Sequence, residues 1–135
     1  MDLVDALHIS AAGMKVQGVR LRIIAQNLAN ADSVAQTPGG DPYRRKVVTF
    51  RNVLDRELGV ETVRIGRFDR DWSEFPKRYD PNHPAADADG YVALPNVNSL
   101  IELTDMREAQ RSYEANLKVI ESSRGMLQRT IDILR

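Results

Sequence analysis

The chain contains no cysteine among its 135 residues. This absence excludes disulfides, iron–sulfur clusters, thiolate zinc sites and thiol nucleophiles. Net charge is also absent, because 19 basic residues balance 19 acidic ones, so long-range attraction to nucleic acid or to an anionic membrane is not expected. No apolar run approaches the roughly 18 residues that span a bilayer, and we therefore expect no direct membrane insertion.

Sequence signatures of catalysis and of metal binding are missing as well. There is no nucleophile elbow, phosphate-binding loop or dinucleotide fingerprint. Residues 87–90, Asp-Ala-Asp-Gly, resemble part of a calcium loop, but the required ligand positions fall on Ala85 and Asn96, so we predict a turn of small polar residues. His8 and His83, the two histidines, lack the spacing of zinc ligands. We predict no enzyme activity, no metal and no cofactor.

Proline is absent from both ends of the chain, because all six prolines lie between residues 38 and 95. Helices are therefore expected at the two ends. The predicted segments are an N-terminal coiled-coil helix at 1–34, a small β-rich middle segment at 35–96 and a C-terminal coiled-coil helix at 97–135. Strand-like runs within the middle segment lie at 45–50, 59–68 and 91–94. The predicted fold class is mainly α with a small β-rich insertion.

Apolar residues in both end segments recur at alternating intervals of three and four, which is the period of a coiled-coil seam. The series also includes the polar residues Ser10 and Gln17 in the first segment, and Gln110 and Arg124 in the last. The predicted assembly seam consists of Leu3, Leu7, Met14, Leu21, Ile24, Leu28, Leu103, Met106, Tyr113, Leu117, Ile120, Leu127, Ile131 and Leu134. These stripes predict that the N- and C-terminal helices form a coiled-coil-like hairpin.

A second apolar series lies on another side of each end segment. It consists of Ile9, Val16, Val19, Ile23, Val119, Met126 and Ile133. A helix that is apolar on more than one side is expected to have more than one partner, so we predict that this second stripe contacts other subunits. A free-standing helical hairpin that acts as a binding or adaptor module is the alternative, but it accounts for only one stripe per helix.

Two features of the middle segment have no assigned role in this pattern. The basic run Arg44-Arg45-Lys46 holds only three cations, and acids elsewhere in the segment offset them. We therefore predict a solvated strand edge rather than a phosphate site. Trp72, the only tryptophan, is expected either to pack within the middle segment or to contact a partner.

The chain contains three distinctive stretches, at 25–32, at 79–98 and at 102–116. The first includes Asn-Leu-Ala-Asn, and the others include Asp-Pro-Asn-His-Pro and Arg-Ser-Tyr-Glu-Ala-Asn. The motif residues are Asn27, Leu28, Ala29, Asn30, Asp80, Pro81, His83, Pro84, Asp87, Gly90, Tyr91, Pro95, Asn96, Arg111, Ser112, Tyr113 and Asn116. In this order the stretches resemble the bacterial flagellar rod and hook axial protein family.

This resemblance implies a structural subunit of the proximal rod. Such a subunit polymerises through its terminal helices into the drive shaft that transmits motor torque toward the hook and filament and encloses the export channel. The implied partners are other copies of the chain, the other proximal and distal rod proteins, the rod-to-ring adaptor and the flagellar type III export apparatus. The implied location is the periplasmic rod, reached by export without a cleaved signal peptide. Residues 51–78 are the part least like the family.

Asn27 and Asn30 fall at the predicted end of the first helix. Asparagine tolerates a left-handed backbone there and can cap free carbonyls. We expect either this capping role or a plain helix stop for the pair.

Overall fold

The computed structural model describes residues 2–135 and contains two long helices with four strands between them. In chain order the elements are α1 (Leu3–Ala29), β1 (Lys46–Asp55), β2 (Val60–Arg70), β3 (Lys77–Tyr79), β4 (Tyr91–Ala93) and α2 (Ser99–Ile133). The strands form two separate antiparallel pairs, β1 with β2 and β3 with β4. In the second pair, Arg78 lies opposite Val92.

The predicted fold class is wrong. Helices account for 46% of the chain and strands for about 20%, in two small sheets, so the protein is mixed α and β rather than mainly α. In the single chain, the predicted seam residues Leu103, Leu117 and Ile131 of the second helix are 48%, 38% and 57% exposed. The first helix buries Val16 and Ile24, and the other buried positions of the helices hold small or polar side chains. The coiled-coil-like hairpin is withdrawn with the fold class.

Side chains cap the start of both helices and the end of α1. At the start of α1, the Asp2 carboxylate accepts a hydrogen bond from the Leu3 backbone N–H at 2.6 Å, and Asn98 Oδ1 accepts one from Leu100 N at 3.1 Å at the start of α2. At the end of α1, Asn30 Nδ2 donates to the Gln26 carbonyl at 2.8 Å. Asn30 therefore caps a carbonyl, but the left-handed backbone expected at this end is wrong, because no described residue except glycine has a positive φ.

The strands of the first pair are longer than the sequence predicts, and they extend over 10 and 11 residues. Strand β3 was not predicted, because its three residues are all exposed and show no alternation. Gly90 precedes β4 with a φ of 83°, and a Cβ atom there would lie 2.9 Å from the Tyr79 ring. Only glycine fits this turn, for both reasons.

The chain divides into two compact units. Unit 1 contains Met1–Leu21, Val48–Arg67 and Arg107–Arg135. Its most buried side chains are Ser10, Val16, Thr62, Ala109 and Ser123. Unit 2 contains Arg22–Val47 and Phe68–Met106. Its most buried side chains are Ile24, Asn27, Ala85, Val92 and Glu102. Polar and small residues therefore form much of the interior of both units.

Within unit 1, close contact between the helices depends on a residue without a side chain. A Cβ atom at Gly13 would lie 2.9 Å from Asn116 Nδ2, so α1 approaches α2 where glycine leaves room. Further along, Arg20 forms an ion pair with Glu108 at 3.3 Å. Asn116 lies seven residues from each of the buried Ala109 and Ser123. The buried side of α2 is thus shifted by one residue from the predicted positions at 110, 117 and 124.

Candidate functional site

A polar cluster in unit 2 is built around Asn27, which is 1% exposed. Asn27 Nδ2 donates to the Lys46 carbonyl at 2.9 Å and to Glu102 Oε2 at 3.2 Å. Its Oδ1 accepts from Lys46 N and from the Tyr43 hydroxyl, both at 2.9 Å. These four bonds use the full capacity of the amide. Asn27 is therefore more than a helix stop, because it joins the end of α1 to the start of β1 and the first turn of α2.

Arg45 supplies the positive charge of the same cluster. Its Nε donates to Glu102 Oε1, and Glu102 is completely buried. The guanidinium also lies 3.6 Å from Asp71 and 3.7 Å from Asp105. A buried carboxylate is stable only when it is paired and hydrogen bonded. Arg45 and Asn27 together meet that requirement for Glu102.

The motif residue Asn96 joins the cluster to the segment after β2. Asn96 Oδ1 accepts from Arg45 N at 2.8 Å, and its Nδ2 donates to the Asp71 carbonyl at 2.8 Å. The Ser73 backbone N–H donates to Asp71 Oδ1 at 2.9 Å. Hydrogen bonds from the Ser73 backbone and side chain lower the pKa of Asp71, and Arg45 acts in the same direction. The cluster thus holds the 71–73 segment against the start of β1.

Tyr43 is held as a neutral phenol within this cluster. Burial raises the pKa of Tyr43 above its ordinary value, and the nearby Glu102 carboxylate raises it further. The neutral hydroxyl is the form that can donate to Asn27. The arrangement as a whole satisfies its own polar groups and fixes three segments of the chain relative to one another. Residues 2–135 contain no group of three or more side chains suited to holding a metal ion.

The predicted solvated edge at 44–46 is wrong, because all three cations are engaged. Arg44 lies 4.9 Å from the centre of the Trp72 ring and 4.1 Å from that of Phe75. Its Nη1 donates to the Asp71 carbonyl at 3.0 Å. Lys46 Nζ donates to Gln26 Oε1 at 3.4 Å, while Arg45 pairs with buried Glu102. The sequence did not reveal that Arg45 forms ion pairs inside unit 2, because the acids that partner it lie 26 or more residues away along the chain.

The motif between Asp80 and Tyr91 is a turn held by its own side chains, as predicted. Asp87 Oδ1 accepts from Asp89 N at 3.0 Å and from Tyr91 N at 2.9 Å. His83 Nδ1 accepts from the Ala85 backbone at 3.0 Å. Both motif side chains therefore act on the local backbone, and the turn leads directly into β4.

The structure distributes the predicted stripe residues over three levels of exposure. Ile24 and Val16 are buried within the single chain. Half-buried positions are Leu3, Leu7, Ile9, Met14, Val19, Leu21, Ile23, Leu28, Met106, Tyr113, Ile120 and Leu127. Exposed positions are Leu103, Leu117, Val119, Met126, Ile131, Ile133 and Leu134. All of them except Leu134, which directly follows α2, lie on that helix, and most belong to its C-terminal half.

Sequence reasoning missed Tyr43, Arg45 and Glu102 as parts of the site. A signal existed for Glu102, which is the lone acid among Leu100, Ile101 and Leu103 in the first turns of α2. An acid at such a position indicates a specific buried partner. No comparable signal marks Tyr43. The C-terminal motif residue Asn116 donates to the Ser112 carbonyl at 3.0 Å and packs against Gly13.

Comparison with known proteins identifies the family to which the chain belongs. A family model described as flagellar basal body rod FlgEFG protein C-terminal matches residues 88–133. A flagellar basal-body rod protein FlgC from Agrobacterium fabrum is 52% identical over 130 residues, which cover 96% of this chain and 94% of that protein. This chain belongs to the flagellar basal-body rod protein FlgC family.

Similarity to the FlgC family extends to distant bacteria. Proteins of that name from Aquifex aeolicus and Salmonella typhimurium are 41% and 37% identical, and each alignment covers 98% of this chain. The same alignments cover 97% and 98% of those proteins. Membership in a rod protein family replaces the alternative of a free-standing adaptor module. Neither helix within residues 2–135 is long and apolar enough to cross a membrane.

Proposed function

We propose that the chain is a structural subunit of the flagellar basal-body rod and that it polymerises through its terminal helices. The observation that supports this role is the exposed apolar surface on the C-terminal half of α2. Ile131, Ile133 and Leu134 are 57%, 83% and 82% exposed. Apolar side chains grouped in this way mark surfaces that other proteins cover.

The spacing of the exposed residues favours a lateral contact along the helix. Val119, Met126 and Ile133 repeat every seven residues, so they lie along one side of α2. Residues of this size each stabilise a contact by about 1.5–3 kcal/mol when they are fully buried. A row of them on an exposed helix therefore provides enough energy to order the helix against neighbouring subunits.

The finer parts of the proposal follow from the family. In the rod, subunits related by a helical operator make contacts that do not close, which gives a tube rather than a ring of fixed size. The tube would transmit torque from the motor and enclose the export channel. Its partners would be other copies of this chain, the proximal and distal rod proteins, the rod-to-ring adaptor and the type III export apparatus. We propose delivery by that apparatus without signal cleavage.

Complementation of a strain that lacks this protein tests the proposal. The variants Met126→Asp and Ile133→Asp each place an unpaired charge on the exposed stripe, and burying that charge in a contact is strongly unfavourable. We expect both variants to be produced but to yield no complete rods and no swimming. Lys118→Asp is the matched control and should support swimming, because Lys118 is an exposed charged residue of the same helix that has no three-, four- or seven-residue spacing to the stripe. Normal rods in both stripe variants would overturn the proposal.

A further inference from the structure

Unit 2 carries an exposed aromatic groove next to its cationic side chains. Trp72 and Phe68 are 73% and 60% exposed. Together with Ile23, Lys46, Val47, Asp69 and Arg70 they line an open cavity of about 450 Å³, in which two cations outnumber one acid. Arg70 is exposed, and it has no ion-pair partner within residues 2–135. The groove thus combines apolar rings with an available positive charge.

Arg44 holds the Trp72 side of the groove. Its guanidinium lies over the Trp72 and Phe75 rings, 4.9 Å and 4.1 Å from their centres. The same group donates to the carbonyls of Asp71 at 3.0 Å and Ser73 at 3.1 Å. Side chains that are already ordered lose little entropy when a partner binds. An ordered but exposed tryptophan is typical of a residue that anchors an interface.

A second patch in unit 2 has the opposite charge. Tyr79 and Tyr91 are 64% and 43% exposed, and their rings meet edge to face with centroids 5.4 Å apart. Asp89 lies in the turn between them, next to the glycine that packs against the Tyr79 ring. Its side chain is exposed, and its carboxylate has no ion-pair partner in the described part of the chain. This tyrosine turn is the chemical complement of the groove.

We propose that the groove of one copy binds the tyrosine turn of the next copy, with Arg70 of one copy facing Asp89 of the other. Unpaired charges of opposite sign beside exposed rings give both specificity and contact area. Two different patches meet in this contact, so each pair of copies leaves one free groove and one free turn for further subunits. The inference rests on the proposed rod function and names a surface by which copies recognise each other.

The single tryptophan of the chain allows a direct test with full-length protein. The unmodified chain, held at low concentration and excited selectively at its tryptophan, is titrated with the variant Trp72→Phe. This silent copy contributes no tryptophan emission, and its tyrosine turn is intact. We expect the Trp72 emission to shift to shorter wavelength and its quenching by acrylamide to fall. Asp89→Arg in the silent copy, or Arg70→Asp in the fluorescent copy, should weaken the apparent association at least about tenfold by placing like charges together.

Combining the two charge reversals decides between this contact and a general loss of structure. Arg70→Asp in the fluorescent copy with Asp89→Arg in the silent copy should restore the shift. The silent variant with Asp41→Arg, an exposed acid of the same unit, is the matched control and should titrate like its parent. An emission that never moves, or reversals that fail to rescue each other, would overturn the contact. If the unmodified chain still restores rods in that case, the rod function stands without it.

Discussion

Replacing Arg45 with methionine removes the cation from a buried ion pair and leaves the methylene stem in place. Glu102 is fully buried, and it also accepts a hydrogen bond from the neutral amide of Asn27. Breaking a buried pair in this way typically lowers the free energy of unfolding by about 3–5 kcal/mol, because the remaining charge is not compensated. A domain of ordinary stability has only about 5–15 kcal/mol in total. We therefore expect a severe loss of stability from Arg45→Met.

Urea unfolding followed by circular dichroism measures this loss, and Arg64→Met is the matched control. Arg64 pairs with Asp55 at 3.5 Å, but its side chain is 57% exposed, so its removal should cost only about 0–1 kcal/mol. The double variant Arg45→Met with Glu102→Gln should recover much of the loss, since a neutral amide oxygen can still accept from Asn27. A loss below about 1 kcal/mol for Arg45→Met would refute the buried pair as a main support of unit 2.

Three further effects are expected from single positions. Gly18→Ala should raise the unfolding free energy by about 0.5–1 kcal/mol in urea unfolding, because helix propensity improves and nothing lies within 4 Å of the added Cβ. Gly13→Val should lower it, because the side chain meets Asn116 at 2.9 Å, and equal effects at the two glycines would contradict this difference. Burial raises the pKa of Tyr43 in the folded protein. The stability that the neutral hydroxyl contributes is therefore complete below its ordinary pKa of about 10, and it is lost as the pH rises through the raised pKa of the folded state. Tyr43→Phe should remove that part of the alkaline pH dependence, and an unchanged dependence would contradict the assignment.

The helices could be predicted from the sequence, but the side on which they pack could not. The absence of proline located α1 and α2 to within a few residues. The apolar period, however, selected Leu103 and Leu117, whereas the chain buries Glu102 and encloses Asn116. Choosing the buried side of a helix from the spacing of its apolar residues assumes that the largest side chains face inward. That assumption fails where glycine allows close approach and where apolar residues stay exposed in the single chain.

The candidate site could be predicted only through its motif residues. Asn27 and Asn96 belong to the stretches that resemble rod proteins, and both prove to be hydrogen-bonded centres of unit 2. Their partners could not be found in the same way. Arg45 and Glu102 are separated by 57 residues, and a pairing across that distance depends on the fold rather than on any local pattern.

The most direct test of the rod assignment is an electron cryo-microscopy map of intact basal bodies from a strain that contains this chain. We expect side-chain density for this sequence within the rod, with Ile131 and Ile133 buried against neighbouring subunits. Unit 2 should keep the Asn27, Arg45 and Glu102 contacts within each copy. A fully assigned rod that contains no density for this chain, or one in which the α2 stripe faces solvent, would contradict the account.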